Sequence, residues 1–154
     1  MFIRNAKFSD AKSIHLLAIS LGAYYNDDDP SGMSSFFRNI ISMESFEKYL
    51  EDTRAYEHYV YEVNRQIMGY FALLNETHFF LLFVDKNQHK KGVAKALVEY
   101  ALKAKENKKY TVNSSLYAVE FYKKLGFVSS SLVQKHHDMT YQPMDWERSE
   151  KGKT

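Results

Sequence analysis

The spacing of apolar side chains changes several times along the chain, and each change marks an element. Phe2-Ile3-Arg4 reads as a short strand. From Ser9 to Gly22 the apolar positions Ile14, Leu17, Ala18 and Leu21 fall three or four apart, which predicts a helix capped by Ser9 or Asp10 and ending near Gly22. Tyr24 to Gly32, with Asn26, three aspartates, Pro30 and Gly32, is a loop. Phe36, Ile40, Met43, Phe46 and Leu50 then share one face of a single helix over 35–50. The period drops to two from Tyr56 to Val63, a strand whose Tyr59, Tyr61 and Val63 face one way. Asn64-Arg65-Gln66 turns the chain into a return strand, Ile67 to Leu74, and Asn75-Glu76-Thr77 turns it again into an apolar strand over 78–84. A helix over 93–106 follows, closed by Lys108 and Lys109 where the helix dipole favours cations. The rest is a short strand (110–113), a helix from Ser115 or Leu116 to Leu125 stopped by Gly126, and a terminal hairpin from Leu132-Val133 and Met139-Thr140-Tyr141.

This order (strand, two helices, three strands, helix, strand, helix, two strands) predicts an α/β domain of the α+β kind. Its mixed sheet should carry helices on both faces. No repeat or second domain is visible, so one domain is expected over 1–146, with a polar, frayed tail over 147–154.

The chemistry concentrates where the apolar strand meets the next helix. Phe79 to Val84 leads through His89-Lys90-Lys91-Gly92 into Val93-Ala94. A strand, a short glycine turn and a helix leave main-chain N–H groups unpaired at the positive end of a dipole. Glycine lets an anion approach the backbone and the lysines add charge, so the turn predicts a phosphate-bearing cofactor.

Composition narrows the classes. The 154 residues include 12 Tyr and 11 Phe, enough rings to wall a core or a cleft. A formal charge of +2 gives no support to nucleic-acid binding. Without cysteine there is neither a disulfide nor a thiol nucleophile nor a thiolate metal site. Residues 1–7 lack the apolar core of a signal peptide and the longest apolar run is far too short to span a bilayer, so a cytoplasmic protein without membrane contact is expected. His136-His137-Asp138 invites a metal reading. Adjacent strand residues point to opposite faces, which argues against it, and no metal is expected.

Two segments resemble the GNAT superfamily of acetyl-CoA-dependent N-acetyltransferases. Leu82-Phe83-Val84-Asp85 followed by His89-Lys90-Lys91-Gly92-Val93-Ala94 is similar to that family's strand ending in Val-Asp and its Gln/Arg-x-x-Gly-x-Gly/Ala turn. His89 departs from the pattern, standing where Gln or Arg is usual. Asn113 to Phe127 is similar to the Asn-x-x-Ala-x-x-Phe-Tyr-x-x-x-Gly-Phe pattern. Even the opening, Ile3-Arg4 and Ser9-Asp10-Ala11, is similar to the family's first strand and helix. The resemblance covers about residues 2–141 and implies a mostly antiparallel sheet of six or seven strands.

It also implies acetyl-CoA as cofactor, with coenzyme A as product. The pyrophosphate would lie on the amides of His89, Lys90, Lys91, Gly92, Val93 and Ala94. The pantetheine would run along Leu82-Phe83-Val84, with Asn113 and Tyr117 nearby, and an amide at Leu82 or Phe83 would meet the oxyanion. Asn113 reads equally as a turn residue, and Tyr117 as a staple for its helix. Acyl transfer to an amine through a ternary complex needs no enzyme nucleophile. Tyr122 falls on the tyrosine that protonates the departing thiolate in the family; a phenol of pKa about 10 stays protonated at neutral pH. The base has three readings: His78, Glu76, or water with no dedicated residue. Asp27-Asp28-Asp29 lies where the family often builds its acceptor site, so Asp28 would steer an amine, unless the run is only a solvated loop. Tyr24, Tyr25 and Phe36 would wall the same cleft, with core packing the stronger reading for Phe36.

The acceptor implied is a primary amine of a small molecule or peptide, and homodimers are common among proteins that resemble this one. The alternative is an acyl-CoA-binding sensor or partner module without turnover. A P-loop protein is excluded because Gly-x-x-x-x-Gly-Lys-Ser/Thr is absent, and a dinucleotide-binding Rossmann domain because Gly-x-Gly-x-x-Gly is absent.

Overall fold

The structure, a computed structural model, describes residues 2–22, 35–106, 109–137 and 139–148. Its elements are β1 (Phe2–Asn5), α1 (Ala11–Ser20), α2 (Ser35–Ile40), α3 (Met43–Glu51), β2 (Tyr56–Val63), β3 (Gln66–Leu74) and β4 (His78–Val84). They continue with α4 (Val93–Leu102), β5 (Lys109–Ser114), α5 (Val119–Leu125), β6 (Val128–Ser129), β7 (Gln134–His136) and β8 (Met139–Glu147). The strands run β1-β2-β3-β4-β5-β8-β6, with β7 pairing β8, and only β4–β5 is parallel among the described pairs.

The sheet is mixed and mostly antiparallel, as the sequence leads one to expect, but has eight strands. The addition is β6, and the first strand of the terminal hairpin, expected at Leu132-Val133, is β7 at Gln134–His136; both are short and exposed throughout, which leaves no hydrophobic period to read. β8 continues to Glu147, one residue past the expected domain end.

The helical region before β2 also differs. The expected helix over 35–50 is two helices, broken at Ile41-Ser42. Ser42 is extended and its Oγ accepts from Ser45 N at 3.1 Å, which starts a new helix. His15 Nδ1 reaches Ile41 O at 2.7 Å and ties α1 to the break. The new register makes Phe37, Ile41, Phe46 and Leu50 the buried positions and leaves Phe36 half-buried at the rim. At the start of α1 the side chains of Ser9 and Asp10 do not cap the helix. Asp10 instead accepts from Lys7 N and pairs with Arg4 at 2.8 Å. α4 stops at Leu102, earlier than its hydrophobic period suggests.

Helices cover both faces of the sheet, and each face has its own core. Val60, Tyr70, Ala72, Leu81 and Phe83 pack with α1, α2 and α3. Tyr59, Phe71, Leu73, Phe79 and Val84 pack with α4, α5 and Phe127 on the other face. The strict alternation of β3 assigns its residues to the two faces. In β4 the alternation breaks. Phe79 and Leu81 are two apart yet serve opposite cores. The cause is a β-bulge at Phe80: Leu73 pairs with Phe79 and Ala72 with Leu81, so Phe80 has no opposite number. Among the described residues no helix is long and apolar enough to cross a membrane.

One buried polar group affects stability. His58 is 7% exposed, with Nε2 donating to Tyr49 O at 2.9 Å and Nδ1 facing the Tyr70 hydroxyl at 2.7 Å. Burial lowers its pKa, and the bond to Tyr49 opposes that only in part. Because the folded pKa lies below the unfolded one, the unfolded chain takes up the proton first. Stability is therefore full above about pH 6.5 and falls as pH drops towards the folded value. Urea unfolding at pH 7.5 and pH 5 is expected to give a lower free energy at pH 5, and His58→Gln should reduce the difference. A flat profile would contradict this.

Candidate active site

The site begins at the start of α4. Lys90 (φ 64°) and Gly92 (φ 79°) are both left-handed, so the chain curls around its own amides ahead of the helix. No side chain caps α4, and the first bond accepted by Gly92 O comes from Ala96 N. Helix geometry leaves Val93, Ala94 and Lys95 without intrahelical acceptors. A Cβ built on Gly92 would meet no protein atom within 4 Å. Glycine thus answers to backbone conformation here, and the space above it is open. This is a cradle for an anion.

His89 sets the position of that cradle. Its Nε2 donates to Val84 O at 2.6 Å, which fixes the tautomer, and its Nδ1 then accepts from the Tyr117 hydroxyl at 3.4 Å. The imidazole is thus a brace between the end of β4, the turn and the start of the 116–118 helical turn. The departure from the family pattern at this residue serves scaffolding.

Beside the cradle the sheet parts. β4 pairs with β5 only at His78–Thr111 and Phe79–Val112. β4 continues to Val84 against β3 while, past Phe79, no described strand pairs with its other edge. The Phe80 bulge sits at the point of parting, where its extra twist carries β4 away from β5. A cavity of about 630 Å³ opens beside the unpaired end of β4, lined by Leu82, Val84, the turn from Gln88 to Lys90, the first turn of α4, Ser115 just after β5 and one face of α5. An extended amide-bearing chain can lie there as a strand would.

A second cavity, of about 320 Å³, lies on the other side of the parting and takes His78, Phe80, Phe83, Asn113 and Tyr141 among its walls. Leu82, Ser115, Ala118 and Tyr122 line both cavities. Tyr122 is 5% exposed, packed edge-on against Phe79 and Phe127. Its hydroxyl has no hydrogen-bond partner among the described residues. Burial raises its pKa well above the ordinary phenol value, so it is held protonated. His78 Nδ1 is 2.8 Å from Thr111 Oγ1, and burial lowers its pKa, keeping the imidazole neutral at pH 7.

The structure brings most of the sequence candidates together. His89, Lys90, Gly92, Val93, Ala94, Leu82, Val84 and Tyr117 line the larger cavity, and His78, Phe83 and Asn113 the smaller one. Phe36 also walls the smaller cavity, so packing in the core is not its place. Lys91 lines neither cavity, and nor does Glu76. Asn75 and Glu76 turn the chain at φ 51° and 70°, so Glu76 leaves the strand and the parity it would share with His78 is lost. Tyr24, Tyr25 and Asp28 lie outside the described residues. His136 and His137 do not point apart as strand neighbours would: His137 turns at φ 55° and the two rings sit 4.4 Å apart. Lys95, Ser115, Phe121 and Lys124 of the larger cavity were not anticipated. Tyr117, Phe121 and Lys124 are spaced four and three apart, so helical spacing could have found them from Tyr117.

Comparison with known proteins agrees with this geometry. The profile of the acetyltransferase (GNAT) domain matches residues 24–148. No curated protein sequence matches the chain. Among solved structures, a GCN5-related N-acetyltransferase from Rhodopseudomonas palustris superposes with a TM-score of 0.80 at 18% identity, over 95% of this chain and 94% of that one. A PaiA N-acetyltransferase from Thermoplasma acidophilum, solved in complex with coenzyme A, gives 0.74 at 15% identity over 95% and 98%. A spermidine N-acetyltransferase from Vibrio cholerae gives 0.64 at 18% identity over 96% and 95%. With the domain profile spanning most of its length and the cradle, the parted strands and the two cavities in one place, the chain belongs to the GNAT acetyltransferase family.

Proposed function

We propose that this protein is an N-acetyltransferase that moves an acetyl group from acetyl-CoA to a primary amine within a ternary complex. The observation that carries the proposal is the position of Tyr122 in the wall common to two cavities, one fitted to the cofactor and one to an acceptor.

The residues present suit the cofactor. The open cradle at Gly92 and the helix start would hold the pyrophosphate, with Lys90, Lys95 and Lys124 around the same cavity. The free edge of β4 at Leu82 and Val84 would take the pantetheine amides. When bound, acetyl-CoA supplies a thioester whose carbonyl is open to attack.

The chain's own groups complete the reaction. A neutral amine in the smaller cavity forms the new C–N bond as the C–S bond breaks. The nitrogen gives up one proton and the sulfur gains one, yielding an amide and the free thiol of coenzyme A. Tyr122 donates to the sulfur. Burial keeps the phenol protonated until the thiolate departs, so the proton is in place when the sulfur needs it. His78 is the better placed of the two side chains considered as base, because it lines the acceptor cavity and Glu76 does not. In the tautomer whose Nδ1 donates to Thr111 Oγ1, Nε2 accepts the amine's proton.

Two measurements test this reading. Calorimetric titration with acetyl-CoA is expected to give one site per chain. Adding amines from a mixed panel should then release thiol with at least one of them. Binding without thiol release from any amine would identify a non-catalytic acyl-CoA-binding module instead.

A further inference from the structure

Given the acetyltransferase reading above, on which it rests, we infer that the acceptor is a small monoamine carrying an aromatic ring. The smaller cavity holds about 320 Å³, near the lower end of small-molecule sites, which suits one ring on a short arm. Its walls include Phe36, Phe37, Phe80, Phe83 and Tyr141, rings from α2, β4 and β8 set around one space. Phe36 closes the outer side: its ring is stacked on His137 at 4.5 Å and meets His136 edge-on at 5.1 Å, which ties α2 to the β7–β8 turn. Rings bind rings by offset and edge-on contact over a large apolar area.

Charge gives the second part of the argument. No Asp or Glu is among the described residues that line this cavity. An acceptor amine loses its proton before attack and then needs no counter-ion. Any further ammonium group would find no carboxylate among the described lining residues. A polyamine or an aminoglycoside brings several such charges. A single amine two or three bonds from a ring brings none once deprotonated, and its ring fills the space that the aromatic walls define.

The test is steady-state thiol release at saturating acetyl-CoA with 2-phenylethylamine, n-butylamine, spermidine, an aminoglycoside and a short peptide with an N-terminal phenylalanine. Phenylethylamine is expected to exceed each of the others in kcat/KM by about tenfold or more, the scale of discrimination available to an apolar pocket. Phe36→Ala should raise KM for phenylethylamine about tenfold, with the Kd for coenzyme A by calorimetry unchanged. Phe36→Leu keeps apolar bulk but loses the ring, and should show most of the same rise. Equal or better turnover of spermidine or the aminoglycoside overturns the inference and leaves the acetyltransferase reading intact. Preference for the peptide overturns it in favour of a protein acceptor. Unchanged KM in both Phe36 variants removes the ring recognition. Thiol release with no amine at all, despite measured binding of coenzyme A, overturns the inference together with the reading beneath it.

Discussion

Tyr122→Phe is expected to lower kcat by about 10² to 10³, within the range for loss of a positioned proton donor, while the Kd for acetyl-CoA changes by less than about twofold. The hydroxyl has no partner among the described residues, so its removal orphans nothing. The ring keeps its contacts with Phe79, Phe127 and Phe121. Folding should therefore survive, and a matching Tm would show that it has. A change of leaving group offers a further readout. If the phenol protonates the thiolate, the variant should regain part of its rate with an acyl donor whose thiol is more acidic, because a better leaving group needs less help. Equal kcat for parent and variant would remove Tyr122 from the chemistry and leave it as a wall.

The largest effect on stability is expected four residues after Tyr122, at the glycine that stops α5. Gly126 has φ 123°, where side-chain-bearing residues are strained, and a Cβ there would lie 2.5 Å from Trp146 Nε1. The indole has little room to retreat, being packed against Tyr110 at 5.8 Å and Phe127 at 5.4 Å. Strain and overpacking each contribute about 1–3 kcal/mol. Gly126→Ala should thus cost about 3 kcal/mol and lower Tm by roughly 6–12 °C. In a double variant with Trp146→Phe, the clash is relieved and the strain is not, so part of the loss should return. A Tm for Gly126→Ala within 1 °C of the parent would contradict this account.

How much of this was readable beforehand depended on whether the cause was local. The cradle was legible because its requirements are local: a glycine at a left-handed position, a helix starting at the next residue and cations beside it. The stop at Gly126 was legible for the same reason. The split between α2 and α3 was not, because apolar residues continue through Ile41 and only a serine oxygen reaching a nearby amide restarts the helix. The bulge in β4 was hidden by its own composition. In Phe79-Phe80-Leu81-Leu82-Phe83-Val84 every residue is apolar, so no polar position marks the loss of phase. The acceptor cavity was the least legible feature. Its walls come from α2, β4, β5 and β8, and residues so far apart in sequence meet only through the sheet's order. Phe36 belongs to that class: its place depends on His136 and His137, about a hundred positions away.

Filling the two cores does not require an extra register position at Phe80. Take that residue out, and Phe79 and Leu81 become neighbours that already point opposite ways, so both cores would be filled just as well by a shorter, flatter strand. Such a strand would run on beside β5 and shut the wedge between them. The surplus residue therefore answers to the gap it props open, while its own ring rests at the rim of one core against Tyr49 and Tyr56.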